Sequence, residues 1–180
     1  MKKLMAIMAA TVGIAAAVPA QAQSTGIYVG ASIGRSLASN ACALGPEPCE
    51  KKRDTAGSGF IGYDLNRWLG VEAAYHDFGK VTVGDVDSKS NTSSLVAVLH
   101  VPLQSRFSVY AKGGAYHGET KNPFVVQRKN GGTFGIGAQY EIGRGALRAE
   151  WQRFTRMAGG AFPDTTNMDY YAIALLIHFR

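Results

Sequence analysis

Eight stretches of this chain alternate between apolar residues and small or polar ones. Each runs for 10 to 12 residues, about 26–36, 55–64, 69–79, 91–101, 107–118, 132–142, 146–157 and 168–179. A period of two belongs to strands, whose side chains point to opposite faces in turn. Length constrains the fold further, because a strand in an ordinary globular domain has about 5–6 residues, whereas a tilted strand crossing a bilayer needs roughly 9–11. After the first twenty-odd positions no apolar run approaches the roughly 18 residues of a spanning helix. The pattern predicts an all-β chain, folded as an eight-stranded antiparallel up-and-down transmembrane β-barrel.

The two faces differ sharply. Alternate positions give Leu69, Val71, Ala73 and Tyr75 in the third segment, Phe134, Ile136, Ala138, Tyr140 and Ile142 in the sixth, and Tyr171, Ile173, Leu175, Ile177 and Phe179 in the eighth. The opposite parity carries Gly70, Glu72, Ala74 and His76, or Arg148, Glu150 and Gln152. A soluble barrel of lipocalin type would turn the apolar face inward; a membrane barrel turns it to lipid. Two features favour lipid outside. The apolar faces are bracketed by Tyr75, Phe107, Tyr140, Trp151, Tyr171 and Phe179, as expected of aromatic girdles at both interfaces. The polar face is rich in glycine (Gly30, Gly34, Gly62, Gly70, Gly114, Gly135, Gly137), which suits a crowded lumen. The mean hydropathy of −0.04 is then the sum of two faces that cancel.

Connections alternate in length. Residues 37–54, 80–90, 119–131 and 158–167 are long, while Leu65 to Trp68, Pro102 to Arg106 and Gly143 to Gly145 are short. Tight turns on the periplasmic side and four long loops outside are the pattern of outer-membrane barrels. Residues 1–22 read as a cleavable signal peptide, with Lys2 and Lys3, an apolar stretch from Leu4 to Val18, and an Ala20-Gln21-Ala22 ending. From Gln23 onward, 17 basic residues stand against 13 acidic ones, a net of +4 in place of +6. Export, and the lack of any basic stripe beyond Lys51-Lys52-Arg53, argue against nucleic acid as a partner. The barrel domain is expected to occupy 23–180.

The segments Gly62-Tyr63-Asp64-Leu65-Asn66-Arg67-Trp68-Leu69-Gly70-Val71-Glu72-Ala73-Ala74-Tyr75, Tyr110-Ala111-Lys112-Gly113-Gly114-Ala115 and Leu147-Arg148-Ala149-Glu150-Trp151-Gln152 resemble the transmembrane domain of the OmpA-like outer-membrane proteins. The resemblance covers essentially the whole chain after the signal. It implies a place in the outer membrane of a Gram-negative cell envelope, and a lumenal ion-pair network of Glu72, Lys112, Arg148 and Glu150. Physics asks for the same arrangement, since charges in a narrow lumen must be paired and hydrogen-bonded. The chain departs from the family at Val98 and Gln139, where a lumenal lysine and a lumenal carboxylate would stand, so a switchable salt-bridge gate is not implied. Larger members continue into a peptidoglycan-binding domain; this chain stops with its eighth segment, and no cell-wall tether is expected. Ile173 to Phe179 resembles the C-terminal signal read by the outer-membrane assembly machinery, with Arg180 as a departure.

Cys42 and Cys49 lie in the first long connection, and in an exported protein a lone close pair is expected to form a disulfide. A metal or redox pair would want nearby histidines or a Cys-x-x-Cys spacing. Of His76, His100, His117 and His178, none stands at metal-ligand spacing from another, and neither a metal nor another cofactor is expected. A lipid A hydrolase would need Ser, His and an acid on the lipid face, for which His117 is the one candidate base. Glu72 and Glu150 could suggest acid–base chemistry, but Lys112 and Arg148 beside them favour a structural plug. Basic residues near the loop bases, among them Arg35, Lys80, Lys89, Lys121, Arg128 and Lys129, would either meet lipopolysaccharide phosphates or form a solvated surface.

These features point to a non-enzymatic barrel with a structural or surface-interaction role, its loops meeting an extracellular protein or host-surface ligand and its wall meeting outer-membrane lipid and lipopolysaccharide. The alternative is a narrow, low-conductance pore. Eight strands leave an interior just wide enough for side chains to fill, and Tyr28, Phe60, Tyr110, Tyr116, Gln139 and the charged cluster are expected to fill it. A lipid A-modifying enzyme is the third reading.

Overall fold

A computed structural model describes residues 26–39, 54–83, 86–121, 126–157 and 167–179, which form one closed sheet. The strands are β1 (Gly26–Ser39), β2 (Asp54–Asp64), β3 (Leu69–Val83), β4 (Val86–Pro102), β5 (Phe107–Lys121), β6 (Val126–Ile142), β7 (Gly145–Phe154) and β8 (Asn167–Phe179). Each pairs antiparallel with its sequence neighbours, and β8 returns to β1 from Ile27↔Phe179 to Ser39↔Asn167. The predicted all-β, eight-stranded up-and-down barrel is the fold of this chain. Closure leaves no sheet edge, a necessity where no water can satisfy backbone groups.

Side chains divide by parity as expected. Ile33, Leu95 and Leu175 are 67%, 65% and 67% exposed on the outer wall, whereas Glu72 and Arg148 are 2% and 1% exposed inside. Charges within and aliphatics without identify the outer surface as the lipid face. The expected girdle residues all lie on the outward parity, at two heights. Phe107 pairs with Tyr140 near the short turns, and Phe179 lies near them at the end of β8; Trp151 pairs with Tyr171 six residues or more further along, and Tyr75 reaches a similar height on β3.

Glycine in the lumen has a specific use. Gly30 faces Phe60, Gly62 faces Tyr28, Gly131 faces Tyr116 and Gly137 faces Tyr110, each directly across a strand pair. A Cβ at Gly62 would stand 2.1 Å from the Tyr28 ring, and one at Gly137 2.5 Å from that of Tyr110. Each of these large rings therefore lies flat over a residue with no side chain, which lets a small barrel hold aromatic rings without widening.

Away from the short turns, the strands outrun the hydrophobic signal. β3 and β4 stay paired to Val83↔Val86, and β5 and β6 to Lys121↔Val126, so 80–90 and 119–131, expected as long connections, are mostly ladder. A ladder is held by backbone hydrogen bonds, which need no apolar face once the strands have left the hydrocarbon. The β3–β4 hairpin leaves through a bulge between Asp77 and Lys80, where Gly79 adopts φ 75° and donates its N–H to Asp77 Oδ1 at 3.0 Å. β7 ends sooner than expected, at Phe154, followed by a turn with Arg156 at φ 58°. Residues 40–53 and 158–166, the greater part of the other two long connections, lie outside the described residues.

Candidate functional site

The lumen is the chemically distinctive part of the molecule, and it is layered along the barrel axis. In the half nearer the short turns, Glu72 comes from β3, Lys112 from β5, and Arg148 and Glu150 from β7. Arg148 Nη1 donates to Glu72 Oε2 at 2.6 Å, Lys112 Nζ to Glu150 Oε2 at 2.8 Å and to Glu72 Oε1 at 3.5 Å. The four residues named from sequence therefore meet in one network. β3 and β7 are four strands apart in a ring of eight, so the Arg148–Glu72 pair is a strut across the full bore.

Uncharged neighbours complete the layer. Tyr28 OH donates to Glu72 Oε2 at 3.1 Å, and Tyr110 OH to Glu150 Oε2 at 2.9 Å. Arg148 Nε donates to Gln139 Oε1 at 2.7 Å, and its guanidinium lies 4.9 Å from the Tyr110 ring centre and 5.1 Å from that of Tyr28. Gln139, a departure from the family pattern, thus serves as a neutral acceptor for the arginine. Val98, the other departure, is fully buried against Val96 and Tyr110.

Sequence reasoning missed a second polar group at the lower mouth. Asp64 lies between His100 and His178, its oxygens 3.6 Å from Nε2 of each, and His178 Nδ1 is 3.9 Å from Glu141 Oε2. Gln139 Nε2 donates to Glu141 Oε1, linking this group to the strut. The signal was parity: His100 follows Val98, His178 follows Leu176 and Glu141 follows Gln139 by two residues, all on the lumen face. Separation in sequence hid the cluster. Among the described residues no His, Cys, Asp or Glu set has the geometry of a metal site.

The upper half is closed by rings. Phe154 packs edge-on against His76, Phe78 and Tyr116, with ring centres 5.0, 5.2 and 5.4 Å apart. Tyr170 meets Phe78 at 6.0 Å and hydrogen-bonds Ser32 Oγ at 2.7 Å, which in turn meets Ser58 Oγ at 2.6 Å. Met157 and Met168 fill the remaining space. Of these residues only Tyr116 was foreseen as filling.

Outside, above the upper aromatics, polar side chains form a band. Arg153 holds Asp169 in a two-pronged pair, Nε to Oδ1 at 2.6 Å and Nη2 to Oδ2 at 2.8 Å, and Trp151 Nε1 donates to Oδ1 at 3.1 Å. Arg128 Nε donates to Glu119 Oε2 at 2.9 Å. His117, the candidate base, is exposed, with Nδ1 2.6 Å from Asn130 Oδ1. Ser93 is its cross-strand neighbour, but no hydrogen bond joins Ser93 to His117, and the orienting group is an amide. Cys42, Cys49 and the Lys51-Lys52-Arg53 run lie outside the described residues.

The profile of the outer membrane protein beta-barrel domain family matches residues 6–178. The chain belongs to this outer-membrane β-barrel family. No curated protein sequence matches it. Among solved structures, the barrel is similar to neisserial surface protein A, with TM-score 0.70 and 14% identity over 86% of this chain and 98% of that one. It is similar to the N-terminal β-barrel domain of OprF from Pseudomonas aeruginosa, with TM-score 0.60 and 15% identity over 87% of this chain and all of that one. It is also similar to Ail, the attachment invasion locus protein of Yersinia pestis, solved with the heparin analogue sucrose octasulfate, with TM-score 0.58 and 14% identity over 87% of this chain and all of that one. At these identities the likeness is one of fold. The resemblance to short OmpA-like barrels agrees with the family match.

Proposed function

We propose that this outer-membrane barrel is a closed, non-enzymatic platform that presents its loops and outer rim to extracellular ligands and to lipopolysaccharide. The observation that carries this reading is the double closure of the lumen, by the Arg148–Glu72 strut at one height and the Phe154-centred rings at another. A pore needs a continuous wetted path, and two layers of buried side chains packed across the bore count against one. The neighbouring Ail structure holds a sulfated ligand, which supports surface binding as a use for a barrel of this size. Basic residues that the sequence places near the loop bases, among them the exposed Arg35, favour anionic groups, including lipopolysaccharide phosphates. For catalysis, the lack of any Ser93–His117 bond supports a structural role for His117.

Planar-bilayer recording tests the closed lumen. The expected result is no steady conductance. Reproducible openings, altered by Glu72→Ala or Lys112→Ala, would favour the narrow pore. Mass spectrometry of lipid A from cells with and without the protein should give one acyl pattern; a missing chain would establish an enzyme.

A further inference from the structure

The three short turns share a feature that neither the lumen nor the loops use. Each carries one exposed arginine and no carboxylate: Arg67 in Leu65 to Trp68, Arg106 in Leu103 to Arg106, and Arg144 beside Gly143. Each turn is also pinned to the next strand by the same kind of backbone bond. The Trp68 carbonyl accepts from His100 N at 2.7 Å, that of Arg106 from Glu141 N at 2.8 Å, and that of Arg144 from His178 N at 2.9 Å. Three repeats of one bond fix three guanidinium-bearing segments at one height on the rim. The carboxylates next to the turns in sequence, Asp64 and Glu141, lie on the lumen parity, Asp64 3.6 Å from the His100 and His178 rings and Glu141 accepting from Gln139. Each turn also presents an exposed apolar side chain: Trp68, 5.1 Å from the Arg67 guanidinium, Leu103 in the turn of Arg106, and Ile142 at the edge of the turn of Arg144.

We propose that these turns form an arginine collar that binds the phosphates of anionic phospholipids in the periplasmic leaflet. Two observations favour lipid over a soluble anion. Neighbouring strands are about 4.8 Å apart, so consecutive turns, two strands on, are separated by roughly 10 Å or more around the rim. No single phosphate bridges two of them, whereas a ring of separate lipids meets each one. The apolar side chain of each turn enters the acyl region while the charge reaches the headgroup, which is how arginine behaves at a bilayer interface. The collar lies at the opposite end from the loops, so this proposal stands or falls independently of the platform reading.

The chain has two tryptophans, so Trp151→Phe leaves Trp68 as a reporter beside the collar. That protein is refolded into phosphatidylcholine vesicles doped with brominated phosphatidylglycerol or, in parallel, with the same fraction of brominated phosphatidylcholine. Quenching of Trp68 should show about fivefold preference for the anionic lipid, as expected for one basic residue at a charged surface. The preference should fall with added salt and vanish in the Arg67→Gln, Arg106→Gln, Arg144→Gln triple variant. Equal quenching by the two lipids overturns the proposal, as does a preference indifferent to salt. A preference that survives in a folded triple variant overturns it too. Should the triple variant not fold, the salt titration of the parent decides. Arginine-dependent co-sedimentation with peptidoglycan sacculi, alongside equal lipid quenching, would assign the collar to the cell wall.

Discussion

The lower and upper halves of the lumen do the same job with opposite chemistry. Below, four charges from β3, β5 and β7 neutralise one another across the bore. Above, Phe78, Tyr116, Phe154 and Tyr170 fill the bore by shape and apolar contact. The contrast teaches where each kind of plug is fragile. In the ionic layer a member is costly to lose because its partner is left charged and buried; replacing the whole set with apolar groups is often neutral. In the aromatic layer each loss leaves a void, and further losses compound it.

The largest effect is expected from Arg148→Met, which leaves Lys112 as the one cation between the buried Glu72 and Glu150. Guanidinium unfolding of the barrel in detergent should show a loss of about 3–5 kcal/mol. Adding Glu72→Gln should return part of it; a double variant as weak as the sum of the singles would break the comparison. Phe154→Ala should follow at about 3 kcal/mol, and adding Phe78→Ala should lower stability further. Neither layer's variants should conduct in a planar bilayer while the other layer is intact, a sharper test of two independent seals. Tyr170→Phe removes the hydroxyl bonded to Ser32 and should lower stability by about 1 kcal/mol in the same unfolding assay. An equally small effect is expected outside the lumen, where Arg153→Gln removes a guanidinium that is 34% exposed while Trp151 still donates to Asp169, and should change stability by about 1 kcal/mol.

Much of this was legible in the sequence, and for a common reason. Period-two alternation put Glu72, Arg148 and Glu150 on the polar face, and the resemblance to OmpA-like barrels added Lys112 and implied that the four meet inside. A network of four balanced charges on one parity is readable because narrow lumens force pairing. The His100–Asp64–His178 group was not readable in the same way. Parity was available to put all three inside and was not used, and their common height depends on register, which follows from turn lengths and strand pairing, not from local pattern. Most of the upper plug was missed for the same reason: Phe78 and Phe154 lie within alternating segments on the lumen parity, but only register brings them to the height of Tyr116 and Tyr170. The lengths of β3 to β6 were underread because a hairpin above the membrane has no apolar face to announce it.

The strut also bears on how the barrel closes. Arg148 and Glu72 are 76 residues apart, and β7 must be seated before they can meet. A sheet holding only β1 to β6 carries Glu72 and Lys112 but lacks both the arginine and the second carboxylate, so its inner surface stays charged and solvated. Contacts between distant parts of a chain form late, after the entropy of closing the intervening loop has been met. The strut is therefore a late contact of assembly, and the seventh strand acts as the latch.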